Sequence, residues 1–520
     1  MSKKAFLCFA LFVGGLPLRA QKYVATDGND ANPGTLARPF QTISRAIAEI
    51  IPGDTIYVRG GRYALTATIM IPAAKSGTAG QWVTLTAFPN ETPLLDFSAQ
   101  PGGARGISLR ASYWHLHGLQ IKGAGDNGME IDGGTNNLIE NCAFFENRDS
   151  GLQLSNGAAD NRISNCDSYY NADPPDYADA DGFAPKLTVG SGNVFQGCRA
   201  WGNADDGWDG YLRGADNVST ILENCWTWGN GYLKDGTDPG PQANGNGFKL
   251  GGGDNSNSGQ LRHHVVLINC LAFNNKQKGF DQNNNAGSMT LLQCTGYNNR
   301  EANYSLSRAL APGQTLTVKN CVSFAGRVEL GSFAVQAANS WMSPFVVTAA
   351  DFADLDPAPA ALPRRADGSL PAMPFLHLAA GSDLIDAGVD LGRPFKGRAP
   401  DLGAFESDFG TAVANEKFTP AEFRLHQNHP NPFHSMTMIE YEVPGSAHVK
   451  ISVYDILGRE VMQLMNEAKA AGRYELQFNA QNLPGGIYFC RLAAGSLIQT
   501  KKMMVMRSFR AREGPFPRRE

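Results

Sequence analysis

Seven cysteines set a beat through the middle of the chain: Cys142, Cys166, Cys198, Cys225, Cys270, Cys294 and Cys321. Their gaps are 24, 32, 27, 45, 24 and 27 residues. Three residues after each stands an aromatic: Phe145, Tyr169, Trp201, Trp228, Phe273, Tyr297 and Phe324. Five residues after the first six stands an asparagine: Asn147, Asn171, Asn203, Asn230, Asn275 and Asn299. Three residues before each is an apolar side chain, from Ile139 to Val318. A fixed unit with insertions of variable length is the signature of a solenoid. Its β-rich runs, such as VVLINC and SMTLLQC, are separated by Asn/Gly turns, which predicts about three short strands per coil. Leucine-rich repeats are excluded because their Leu-x-x-Leu-x-Leu pattern is absent.

In such a solenoid, equivalent residues of neighbouring coils stack at the strand spacing. The cysteines then stack as small core hydrophobes rather than as disulfides or metal ligands; no C-x-x-C pair occurs. Turn asparagines can bond side chain to backbone along the stack. A content of 58 glycines with only 18% charged residues suits this turn-rich architecture. The formal net charge of −4 supplies no global basic field, so no nucleic-acid partner is expected. An acidic ligand would need a local device such as a metal ion.

A further register is a glycine followed by a large apolar residue: Gly151-Leu152, Gly182-Phe183, Gly207-Trp208, Gly247-Phe248 and Gly279-Phe280. Side chains alternate along a strand. If the apolar residue points inward, the next points out, which aligns Gln153, Ala184, Asp209, Lys249 and Asp281 on the surface in coil order. The residues before each glycine align Ser150, Asp181, Asp206, Asn246 and Lys278. Asp181, Asp205, Asp206 and Asp209 therefore converge within two coils. Opposed like charges are destabilising, and a hard divalent cation such as Ca²⁺ removes that cost. Lys249 is expected one coil above Asp209. Two insertions, Ala172–Asp181 and Gly231–Asn246, lie at the same corner and are placed to wall a groove.

With these residues in hand, the chain resembles polysaccharide lyase family 9, the β-helical pectate lyases. The stretches that carry the likeness are DADGFAPKLTVGSGNVFQGCRAWGNADDGWDGY (179–211) and NGNGFKLGG (244–252); it extends over about 22–406. The resemblance implies an all-β fold, a right-handed parallel β-helix over 21–340 with a short capping helix near 42–51, closed by an irregular segment over 341–412. It implies that Asp181, Asp205, Asp206 and Asp209 hold Ca²⁺ together with the Gly207 carbonyl. It also implies that Lys249 takes the C5 proton of a polygalacturonate-like anionic polysaccharide in a β-elimination. Lys186, in the same motif and outward by alternation, is either a binder of substrate carboxylate or structural.

Residues 422–507, with FRLHQNHPNPF and LPGGIYFCRLAAGSLIQTKKMMVMR, resemble a type IX secretion sorting domain and read as a small β-sandwich. The first 20 residues read as a signal peptide, and 508–520 as a basic tail. A secreted or cell-surface monomer of a Bacteroidetes-like bacterium, engaging the type IX machinery, is expected. Two other readings stay open: a lyase acting on alginate or a glycosaminoglycan-like uronide, and a non-catalytic polysaccharide-binding surface protein. A glycoside hydrolase is disfavoured because Asp205, Asp206 and Asp209 are too clustered for separated carboxylates. The pairs His115/His117 and His263/His264 read as structural.

Overall fold

The structure, a computed structural model, describes residues 20–254, 256–408 and most of 423–505. The expected leader and the basic tail fall outside these residues, apart from Ala20. The chain divides into two units, Met1–Thr411 and Ala412–Glu520.

In the first unit the coils form three parallel sheets of twelve, ten and ten strands. Each coil contributes one strand to each sheet, as the coil of Cys166 shows. Arg162–Ser164 lies in the twelve-stranded sheet, Asp167–Tyr169 in one ten-stranded sheet and Phe183–Pro185 in the other. The corner between the first two strands is made by a left-handed residue just before the cysteine: Asn141, Asn165, Asn224, Asn269 and Asn320 have φ between 51° and 54°. Asparagine tolerates this region better than other non-glycine residues. Gly197 takes the equivalent position at φ 63°. The cysteines are buried and free, each thiol facing backbone carbonyls, as Cys166 faces Ile139 and Ser164.

The asparagine five residues on turns the chain into the next sheet and builds a continuous ladder. Asn171 Oδ1 accepts from both the backbone N–H (3.1 Å) and the side-chain amide (2.9 Å) of Asn147. The pattern repeats from Asn171 to Asn203, Asn203 to Asn230, Asn230 to Asn275 and Asn275 to Asn299, and Asn303 ends it. A second ladder, Asn137 to Asn161 to Asn193, runs along another corner. Each of its asparagines stands five residues before a marker cysteine (Cys142, Cys166 and Cys198), and the sequence reading missed it.

Outside the ten-stranded sheet that contains Asp167–Tyr169, the predicted aromatics stack face to face. Tyr169 and Trp201 centroids are 4.4 Å apart, and Trp201 and Trp228 4.9 Å. The closing segment covers this stack, with Phe375 edge-on to Phe273 and Phe352 against Phe324. Inside, Phe183, Trp208, Phe248, Phe280 and Tyr304 form the core stack behind the other ten-stranded sheet. The capping helix is shorter than expected, Ile43–Glu49, capped by Thr42, whose side chain accepts from Arg45 N. A strand not predicted, Gln21–Val24, precedes it and pairs with Thr55–Val58.

The second unit consists of a three-stranded and a four-stranded antiparallel sheet. They share a core that includes Ile439, Tyr441, Val449, Ile451 and Leu492.

Replacing Asn203 by Ala removes the acceptor of two buried donors on Asn171. The unfolding free energy should fall by roughly 2–3 kcal/mol, measured by urea denaturation. A reducing agent should leave the unfolding midpoint unchanged, because the described cysteines form no disulfide.

Candidate active site and metal centre

The strands Phe183–Pro185, Trp208–Asp209, Phe248–Lys249 and Lys278–Asp281 lie side by side in one ten-stranded sheet. Their register is Phe183 to Trp208, then Trp208 to Phe248 and Asp209 to Lys249, then Lys249 to Asp281. Trp208 and Phe248 fill the core, so Asp209 and Lys249 stand on the outer face, one coil apart. The glycine column permits this close stacking: a Cβ on Gly207 would lie 2.0 Å from Thr227 Oγ1 and 2.6 Å from Gly247 O.

The residues before the glycines line up as well. Gly182 N donates to Asp206 O and Gly207 N to Asn246 O, which sets Asp181, Asp206 and Asn246 in a row. Carboxylate oxygens of Asp181, Asp205 and Asp206 all lie within 4.8 Å of one another, and the three residues are almost wholly buried. Asp209 stands outside that group of three; it faces Lys249 across 3.4 Å and accepts from Tyr211 N at 2.9 Å. The Gly207 carbonyl takes part in the sheet ladder, accepting from Phe183 N at 3.0 Å.

Each buried carboxylate is oriented by donors. Asp181 accepts from Ser150 Oγ, Lys186 Nζ and Asp206 N. Asp205 Oδ1 accepts from Asn244 N at 2.7 Å, and Asp206 Oδ1 from Asn246 N at 2.7 Å and its side-chain amide at 2.9 Å. Asp206 Oδ2 accepts no hydrogen bond, although Lys249 Nζ stands 3.1 Å away as an ion pair. Burial pushes the Asp181, Asp205 and Asp206 carboxyls up. Neighbouring carboxylates push in the same direction, against Lys186 for Asp181 and Lys249 for the other two. Burial pulls the Lys249 ammonium down, but Asp209, Asp206, Asp205 and Asp181 together hold it well above the ordinary lysine range. Three crowded buried carboxylates, one of whose oxygens accepts no hydrogen bond, fit a hard cation, which favours oxygen donors.

Lys186 is not exposed as strand alternation suggested. Its ammonium lies 2.7 Å from Asp181 Oδ2 and 3.3 Å from the Asp179 carbonyl, with its side chain 5% exposed. The strand ends at Pro185, so alternation no longer governs the next residue. The insertion ending at Asp181 folds back over it. Both insertions touch the site: the first through Asp179, the second through Asn244 and Asn246. Between them is a cavity of about 620 Å³ lined by Arg148, Tyr170, Tyr177, Leu233 and Lys234, among others.

The sequence reading missed the donors Ser150, Asn244 and Asn246. Ser150 and Asn246 were visible in the row before the glycines, whereas Asn244 sits in an insertion with no register. His263 lies beneath the site, bonded to Gly210 O and Thr220 Oγ1. Burial pulls it down to about 4, so it stays neutral. His115 pairs with Glu140. Among the described residues, neither histidine pair joins a three-ligand cluster.

Residues 22–325 match the family model described as Pel9A-like, right handed beta helix region. Residues 428–506 match the model of a secretion system C-terminal sorting domain. A protein named pectate lyase L from Paenibacillus polymyxa is 42% identical over 71% of this chain and 84% of its own length. Another of that name, from Dickeya dadantii, is 36% identical over 77% of this chain and 93% of its own. The crystal structure of pectate lyase Pel9A superposes with a TM-score of 0.68 at 36% identity, covering 75% of this chain and 97% of that one. A structure named rhamnogalacturonan lyase gives 0.61 at 26% identity, covering 70% and 97%.

Changing Lys186 to Met leaves the Asp181 carboxylate buried without its cation. In the presence of chelator the variant should lose roughly 3 kcal/mol of stability, read by urea denaturation.

Proposed function

The chain belongs to the Pel9A-like, right-handed β-helix family, and on that premise we propose that it is a pectate lyase, a polysaccharide lyase that cleaves polygalacturonate by β-elimination with Ca²⁺. The observation that carries the reading is the pairing of one lysine with a buried carboxylate cluster: Lys249 Nζ lies 3.1 Å from Asp206 and 3.4 Å from Asp209.

Asp181, Asp205, Asp206 and Asp209 would hold the ion, with the second lone pair of the Gly207 carbonyl as a further donor. Bound there, Ca²⁺ supplies a Lewis acid for a uronate carboxylate and stabilises the negative charge that builds as the C5–H bond ionises. Lys249 is the base. Its neutral amine accepts the C5 proton, the electron pair forms the C4–C5 double bond, and the glycosidic C4–O bond breaks with its electrons on oxygen. The products are a new chain end, once the leaving oxygen is protonated, and a 4,5-unsaturated uronide. The four carboxylates that keep Lys249 protonated in the metal-free protein must be engaged elsewhere before the amine can act. Lys186 is assigned to Asp181 rather than to substrate, because its ammonium is buried and already shared. Export through an amino-terminal signal peptide and the type IX route, to the cell surface or the medium, is the corresponding proposal for the C-terminal sorting domain.

On polygalacturonate with Ca²⁺, the ultraviolet absorbance of the conjugated uronide should rise, and a chelator should abolish the rise. If the rise occurs on rhamnogalacturonan or alginate instead, the substrate is reassigned; no rise on any polyuronide refutes the lyase reading. Lys249→Ala should lower kcat by at least about 100-fold while Ca²⁺ binding, measured by calorimetry, is retained. Asp209→Ala should weaken Ca²⁺ binding; unchanged affinity would remove Asp209 from the ligand set.

A further inference from the structure

The 231–246 insertion supplies the two backbone donors that hold Asp205 and Asp206, while its own sequence closes only local turns, at Asp235 and Asp238. It contains glycines at 231, 236, 240 and 245, and its internal backbone bonds include a small turn between Leu233 and Thr237. Such a segment has much conformational freedom to lose. Its outer end is held by Lys234, which pairs with Glu146 three coils away and stands 5.4 Å from the Tyr170 ring centre.

The returning limb is held from the opposite direction. Lys276, the residue after ladder asparagine Asn275, reaches into the loop from the next coil. Its ammonium donates to Asp238 Oδ1 at 2.6 Å, Gly240 O at 2.6 Å and Ala243 O at 3.1 Å. An ammonium has three donors, so all are used, and the side chain is only 9% exposed. The contact made at Ala243 immediately precedes Asn244, whose N–H holds Asp205, and Asn246, whose N–H holds Asp206. Those two bonds take one oxygen of each carboxylate and leave Asp206 Oδ2 without a hydrogen bond.

We propose that Lys276 is a positioning residue for the metal centre: by clamping the 231–246 loop it holds the Asn244 and Asn246 amides against Asp205 and Asp206, and so sets the affinity for Ca²⁺. The inference rests on the Ca²⁺ reading of the site. Lys276 itself meets neither ion nor substrate. Without its clamp the loop samples other shapes, and Asp205 and Asp206 lose the Asn244 and Asn246 amides that preset them.

The test is Ca²⁺ titration of the full chain by calorimetry, with lyase kinetics across Ca²⁺ concentration. Lys276→Met should raise the Ca²⁺ dissociation constant by about tenfold or more, while kcat at saturating Ca²⁺ stays within about twofold of wild type. Asp238→Asn, at the exposed end of the clamp, should shift the affinity in the same direction by about threefold. A melting point that falls in Lys276→Met while Ca²⁺ affinity is unmoved makes the contact merely structural and overturns the proposal. So does a loss of kcat that added Ca²⁺ does not restore. If Lys276→Met fails to fold, Asp238→Asn decides: unchanged affinity overturns the proposal. A wild-type chain that binds no Ca²⁺ overturns the metal reading and this inference with it, whereas wild-type binding with unaltered variants overturns this inference alone.

Discussion

The structure depends on one repeated interaction, the bifurcated acceptance by each ladder asparagine of the backbone and side-chain N–H groups of the asparagine one coil before. At this corner the chain turns sharply inside the protein, where an unpaired amide costs about 1–3 kcal/mol. The Oδ1 of the next coil satisfies two such donors at once, as between Asn203 and Asn230. The bond forms only when the two coils are in register, so each rung aligns the strands on either side of it. The stacked aromatics and the glycine column lie within a few residues of the ladder and inherit its alignment.

The active face follows from that alignment. Insertions enter the chain directly after ladder residues Asn171 and Asn230, where extra length does not disturb the rung. Both return to the sheet at a glycine, Gly182 and Gly247. The sheet therefore resumes in register, and Asp209 lands opposite Lys249 however long the excursion. The scaffold supplies rigid positions for charged groups, and the loops supply the amides that orient them. Packing these carboxylates and two ammonium groups together is tolerable because Lys186 faces Asp181, Lys249 faces Asp206 and Asp209, and Asp205 takes the Asn244 amide. The same arrangement keeps Lys249 protonated until the carboxylates have another partner.

Much of this was legible in the chain. The coil, the order of the outward residues and the approach of Lys249 to Asp209 all follow from strand alternation applied to repeats that carry visible markers. What was not legible lies where alternation or the markers stop. Lys186 follows the last residue of its strand, and the folded insertion buries it against Asp181. Asn244 and Lys276 act through a loop without periodicity. The second asparagine ladder was legible but missed: it keeps a spacing of five residues before Cys142, Cys166 and Cys198, over only three coils.

The sequence alone determined the architecture and the rows of residues on its surface, because a two-residue side-chain period and a fixed coil repeat leave one way to stack them. It also determined which carboxylates could meet. Only the tertiary structure decided how they meet: that Asp181, Asp205 and Asp206 crowd together while Asp209 turns to Lys249, and that Lys186 is spent on Asp181. Those outcomes depend on how two irregular loops fold over the sheet. The first is held by its own Asp173, which accepts from the Ala178, Asp179 and Ala180 amides, and the second by Glu146 three coils away and Lys276 of the next coil, none of which the coil repeat encodes.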